Sequence, residues 1–146
     1  MKLFRTACAF SVAFIVAGCG PANIEAYSHD KVSQEQLATL RVDLAGLFNV
    51  QPLLMTLDDR PMYKFLGPVN MNVKIKPGRH RASVRFYKEN FGARDCSAED
   101  QFVDFFAQAG HTYVVQANVQ KELACSLGGT RIWTAIIVDI DEPRSS

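Results

Sequence analysis

The sequence predicts a mainly β protein, a small antiparallel β-sandwich of about seven strands. Three observations carry this. Short apolar runs recur roughly every ten residues. Several alternate apolar and polar side chains, the period-two pattern of a strand with one buried face. Glycine, proline or aspartate pairs punctuate the runs: Asp58-Asp59, Pro77-Gly78, Ala109-Gly110 and Gly128-Gly129.

In chain order, Ser33 followed by Gln36 fits a capping box, so "SQEQLA" is expected to form one or two helical turns leaning on the domain. "TLRV" at 39–42 reads as an edge strand. "PLLMTLD" at 52–58 reads as a firmer strand, ended by the turn Asp58-Asp59-Arg60-Pro61. "MNVKIK" at 71–76 sends Val73 and Ile75 inward and Lys74 and Lys76 outward. Pro77-Gly78 then suits a type II turn. "RHRASVRFY" at 79–87 places His80, Ala82, Val84 and Phe86 on one face and Arg79, Arg81, Ser83 and Arg85 on the other. "QFVDFFAQ" at 101–108 sets Phe102 and Phe106 opposite Val103 and Phe105. "HTYVVQANV" at 111–119 follows Ala109-Gly110. "RIWTAIIVDI" at 131–140 is nearly continuous in apolar residues and reads as a central strand.

Upstream of the domain, Lys2 and Arg5 are the only charges before Glu25, and "TACAFSVAFIVAG" fills the space to Gly20 with apolar and small residues. A basic start and a short apolar run are the marks of a secretory signal peptide. The run is roughly a dozen residues, too short to span about 30 Å of hydrocarbon as a helix. It ends in Val16-Ala17-Gly18-Cys19, which resembles the lipobox of bacterial lipoproteins. That resemblance implies cleavage before Cys19, a thioether-linked diacylglyceryl group on its sulfur and acylation of the new amine. Several chains, each gaining about 0.8 kcal/mol per buried methylene, anchor durably where one does not. The plainer reading is an ordinary secretory signal with a stray cysteine. Gly20 follows the cysteine, with no Asp to act as an inner-membrane retention signal. By analogy with proteobacterial lipoproteins, the expected destination is the outer membrane, facing the periplasm, in preference to the inner membrane.

The expected organisation is a signal peptide at 1–18, a lipidated tether and short helical turn at 19–38, a β-sandwich at 39–141 and a flexible tail at 142–146. Without residues 1–18, 128 of the 146 residues remain, enough for one domain with one core. Loss of Lys2 and Arg5 takes the formal charge from +1 to −1. So neutral a chain gives no general reason to expect nucleic acid as a partner.

Beyond Cys19 the mature chain holds two further cysteines, Cys96 and Cys125. An oxidising periplasm favours reading them as a disulfide. A metal site or a redox pair are the alternatives. Neither cysteine lies in a CxxC, and neither has a histidine within a few residues.

The order "QLATLR", "TLDDRP", "KPGRHRASVRF", "FFAQAGHTYVV" and "VDIDE" is similar to a broad group of small bacterial lipoproteins of unknown function, themselves like PEGA-type and transthyretin-like sandwiches. The likeness covers about residues 27–141, and "KPGRH" and "AGHTY" are its most specific pieces. It implies fold and location and brings no activity. Asp59 stands where those proteins often have glycine; aspartate tolerates the left-handed conformation such a turn needs.

Candidate sites are few. From Lys74 to Arg94 there are seven basic residues against one acid, Glu89. Lys74, Lys76, Arg79, Arg81 and Arg85 are expected on the solvent side of two adjacent strands, as an anion-binding face for an envelope component or an acidic protein. The alternative is a solvated face whose charges pair with neighbouring carboxylates. His80 and His111 each follow a turn glycine. They bond backbone carbonyls at turns, or serve a small hydrolase or metal-dependent enzyme if further ligands converge. No serine sits in a G-x-S-x-G setting, and "SLGGT" lacks the lysine and helix of a phosphate loop. Phe102, Phe105, Phe106, Tyr113 and Trp133 read as core in preference to a carbohydrate platform. The sequence thus predicts a non-enzymatic, membrane-anchored binding or assembly protein. It has no catalytic residues, no metal and no cofactor apart from the lipid on Cys19.

Overall fold

The computed structural model describes residues 22–25, 32–43, 50–62, 70–90 and 93–142. The signal segment, Cys19, His29 and residues 143–146 lie outside them. No helix among the described residues is long and apolar enough to cross a membrane.

Among the described residues ten strand segments form two five-stranded sheets packed face to face, a β-sandwich. The first sheet has the order β1 (Ala22–Glu25), β5 (Met71–Ile75), β2 (Ala38–Val42), β9 (Thr112–Val119), β10 (Trp133–Asp139). The second runs β4 (Arg60–Pro61), β3 (Gln51–Leu57), β6 (Gly78–Asn90), with β7 (Ala93–Cys96) and β8 (Gln101–Ala107) both paired to β6. The expected seven runs are β2, β3, β5, β6, β8, β9 and β10. The additions, β1, β4 and β7, are short.

Alternation builds the core. Leu40, Val73, Ile75, Val115 and Trp133 from the first sheet meet Leu54, Leu57, Ala82, Val84 and Phe86 from the second. Phe86 and Trp133 meet edge-on across the interface, with ring centroids 5.2 Å apart, an arrangement worth about 0.5–1.5 kcal/mol beyond the buried area. The 13-residue β6 is the spine of its sheet. Its first half pairs β8 and its last four residues pair β7.

Four expectations change. "TLRV" is not an edge: β2 sits third of five, between β5 and a parallel β9, because Ala38, Leu40 and Val42 are buried. The last strand is not central: among the described residues β10 pairs only β9, and Ile136, Val138 and, just beyond it, Ile140 stand exposed. A continuous apolar run is apolar on both faces, but only the face of Trp133 and Ala135 meets the core. Ala22–Glu25, placed in the tether, is a strand parallel to β5. The segment after Ser33 is a single 3-10 turn, Gln34–Gln36, and Ser33 makes no side-chain cap; Gln36 N–H bonds the Ser33 carbonyl at 2.9 Å.

The open edge of β10 is covered by a side chain. Gln101 Nε2 donates to the Trp133 carbonyl at 2.7 Å, and Gln101 Oε1 accepts the Ala135 N–H at 2.9 Å. One amide thus acts as a short stretch of neighbouring strand.

Asp58 and Asp59 both have positive φ, 48° and 61°. Two successive left-handed residues at a two-residue hairpin are the signature of a type I′ turn. The expected tolerance of aspartate at this turn is used at both positions. Gly78, with φ of 132°, occupies a conformation few other residues take.

Candidate functional site

The basic residues do not share one face. β5 and β6 belong to different sheets, because the turn at Pro77-Gly78 carries the chain from one sheet to the other. Lys74 lies on the outer face of the first sheet and donates to Thr39 Oγ1 at 2.9 Å. Lys76 sits exposed at the crossover. Arg79, Arg81 and Arg85 project from β6 on the outer face of the second sheet. Arg85 is already engaged: its Nε donates to Asp100 Oδ1 at 2.7 Å, and Asp100 Oδ2 accepts from Ser83 Oγ at 2.7 Å. Arg79 and Arg81 have no carboxylate at ion-pair distance among the described residues.

Beside those two arginines stand two phenylalanines assigned to the core from sequence. Phe102 and Phe106 are 60% and 67% exposed. The register explains this. Arg79 lies opposite Phe106, Arg81 opposite Asp104 and Ser83 opposite Phe102, so all six side chains share the outer face. The core takes the other side of β8, where Val103 and Phe105 pack against it. The Arg81 guanidinium sits over the Phe102 ring, 4.6 Å from its centroid, a cation–π contact worth about 0.5–1 kcal/mol at an exposed site. Arg79, Asp104, Phe105 and Phe106 line a shallow hollow of about 380 Å³. A flat, open surface of two guanidinium groups and two rings can stack on planar or ring-shaped groups and fork onto a carboxylate or phosphate. Asp104 is the one carboxylate among them.

The histidines are separate and individually engaged. His80 is buried at 6% exposure. Its Nδ1 meets Asp58 Oδ2 and its Nε2 meets the Lys76 carbonyl, both at 2.7 Å. Asp58 Oδ1 also accepts the Arg81 N–H at 3.0 Å, and this carboxylate ties the β3–β4 turn to β6. His111 Nδ1 meets Asp139 Oδ2 at 2.8 Å. Phe105 and Tyr113 stand between the histidines, with successive ring centroids from His80 to His111 5.6, 5.6 and 6.5 Å apart. Among the described residues no three His, Cys, Asp or Glu side chains converge to hold a metal ion.

Asp139 closes the far end of the first sheet. Its burial acts to raise its pKa, but hydrogen bonds from His111, the Asp141 backbone and Tyr113 outweigh that and hold it below the ordinary 3.8. Tyr113 is pushed above its ordinary 10.0, first by burial; the Gln108 N–H opposes the shift and Asp139 adds to it.

Cys96 and Cys125 form a disulfide with Cα atoms 5.3 Å apart. The sequence brings them together because β7 ends beside the loop after β9. Isolated bridges join Asp95 to Ala124 and Ser97 to Thr130, and Thr130 N–H bonds the Cys96 carbonyl at 2.8 Å. Gly129 is required there, since a Cβ would lie 2.7 Å from that carbonyl oxygen.

Comparison with protein-family models, with curated proteins and with solved structures finds no match to this chain.

Proposed function

We propose that this chain is a lipid-anchored protein of a bacterial cell envelope, held at the outer membrane through Cys19 and facing the periplasm. Its sandwich binds an anionic partner and carries out no chemistry of its own. The Val-Ala-Gly-Cys stretch supports the anchor. The likeness to small lipoproteins of the PEGA-type and transthyretin-like kind belongs to this reading and adds no activity to it.

The observation that carries the binding role is the outer face of β6 and β8, where Arg79 and Arg81 lie beside exposed Phe102 and Phe106. Leaving two phenylalanines in water forgoes about 1.5–3 kcal/mol each relative to full burial. Rings of this kind stack on the apolar faces of sugars, and the guanidinium groups take their acidic substituents. An acidic envelope glycan, bearing carboxylate or phosphate, matches both halves of the surface. The rival role, a small hydrolase or metal-dependent enzyme using His80 or His111, has no comparable support: Phe105 and Tyr113 stand between the two rings, and among the described residues no three potential ligands converge on either.

Titration with soluble, carboxylate-bearing peptidoglycan fragments at two salt concentrations tests the proposal. Binding weakens as salt rises, because exposed charges are screened over about 10 Å at 0.1 M. Arg79→Gln with Arg81→Gln weakens it about tenfold or more, and Phe102→Ala with Phe106→Ala does likewise. Arg85→Gln, at an arginine already bound to Asp100, changes it less. Binding untouched by both double variants sinks the assignment.

A further inference from the structure

We infer that the loop 120–132 seats the domain on the bilayer that carries its anchor, with Leu127 and Ile132 inserted among the lipid head groups. This inference rests on the lipidation of Cys19 proposed above. Three residue steps separate Cys19 from Ala22, where β1 is already hydrogen-bonded into the first sheet. Three steps span at most about 10–11 Å. A domain so closely tied has one end against the membrane, and the register says which. Ala22 pairs Met71, and Met71 pairs Val42. β9 runs parallel to β2 and continues past that level to Val119, opposite Trp133. The loop joining Val119 to Trp133 therefore projects from the end where β1 begins.

That loop has the chemistry of an interfacial contact. Leu127 is 70% exposed, Ile132 50% and Leu123 37%. With Lys121 and Arg131 they line an open hollow of about 390 Å³. Two of the acids nearby are partnered, Glu122 with Lys88 at 2.5 Å and Glu99 with Arg131 at 3.5 Å, and Asp95, bridged to Ala124, is a third carboxylate beside the loop. The loop is also braced, by the Cys96–Cys125 disulfide, the two β-bridges and the Lys88–Glu122 pair. Apolar side chains held out on a braced loop lose little freedom on docking. Apolar tips with basic residues behind them suit the boundary between head groups and acyl chains, where interfacial segments bury about 5–10 Å.

The test uses the natural lipidated protein in phosphatidylethanolamine–phosphatidylglycerol vesicles whose acyl chains carry bromine. Trp133 is buried and sets the baseline. Leu127→Trp adds emission that bromine quenches, whereas Ile140→Trp, beyond the opposite end of β10, adds emission that it does not. A second measurement needs no tryptophan variant. Hydrogen exchange across 120–132 slows on vesicles relative to the Cys19→Ala form in solution. Equal quenching at 127 and 140 in protein that floats with the vesicles overturns the docking and leaves the anchor standing. Protein that neither floats nor carries acyl mass overturns both. Protection of 120–132 that appears in the Cys19→Ala form and grows with protein concentration assigns the loop to a second copy and also overturns the docking.

Discussion

Asp58 and His80 meet at 2.7 Å, the carboxylate from a hairpin turn and the ring from a strand that starts in the opposite direction two residues earlier. The same carboxylate accepts the Arg81 N–H, so one side chain fixes both the left-handed turn and the face that Arg81 presents. Asp58→Ala takes away the carboxylate that Nδ1 of the buried ring meets and gives up the bond to the Arg81 N–H. Loss of stability of about 2–3 kcal/mol is expected, read from the urea midpoint. His80→Phe keeps an aromatic ring but removes the two nitrogens that meet Asp58 Oδ2 and the Lys76 carbonyl, and it costs a similar amount. No change in either variant would show that the pair does not organise the turn.

Asp139 supplies a pH dependence whose sign follows from its depressed pKa. Its contribution to stability is fully present above the ordinary value of 3.8 and is lost as pH falls through the lower folded value. Asp139→Asn is therefore expected to lower the thermal midpoint at pH 7 and to flatten its fall between about pH 5 and pH 2. Parallel curves for the two proteins would contradict this.

The disulfide closes a loop between Cys96 and Cys125, 29 residues apart in sequence. Chain-entropy reasoning assigns it about 3–4 kcal/mol. Non-reducing peptide mapping should recover the two cysteines joined, and Cys96→Ala with Cys125→Ala should lower stability by that order. Two thiols that alkylate freely in the folded protein would refute the pairing.

Gln101 guards the edge of β10. Gln101→Ala removes two hydrogen bonds and bares the Trp133 carbonyl and Ala135 N–H. A loss of about 1–2 kcal/mol is expected. So is concentration-dependent association, visible by light scattering, because an open apolar edge recruits other strands. Scattering unchanged from the parent protein would argue that the edge needs no guard.

Much of the fold was legible because its signals are local. The alternation of "VKIK" and "HRASVRF" assigned inward and outward residues of β5 and β6 correctly, and Asp59 announced a left-handed turn. What local pattern does not hold is which strand neighbours which. Lys74 and Arg79 are five residues apart, yet lie on opposite sheets, so the single basic face dissolved. The apolar run of β10 says that both faces are apolar and not that both are covered. Phe102 and Phe106 were missed for a related reason. β8 carries aromatic residues on both sides, one side must face water, and aromatic character alone does not say which. The arginine alternation of β6, set against the phenylalanine and aspartate alternation of β8, was the available clue, but it needed the register to become one surface. The Asp58–His80 contact spans 22 residues and depends on a hairpin whose partner strand has only two residues.

The proposed anchor underlies the proposed location, orientation and seating of the loop 120–132, and intact-mass measurement of the protein from its native cells tests it most directly. A chain that begins at Cys19 and exceeds its polypeptide mass by a diacylglyceryl group and one further acyl chain is expected, with Cys19→Ala unprocessed or soluble. A mature mass equal to that of the bare polypeptide would contradict it.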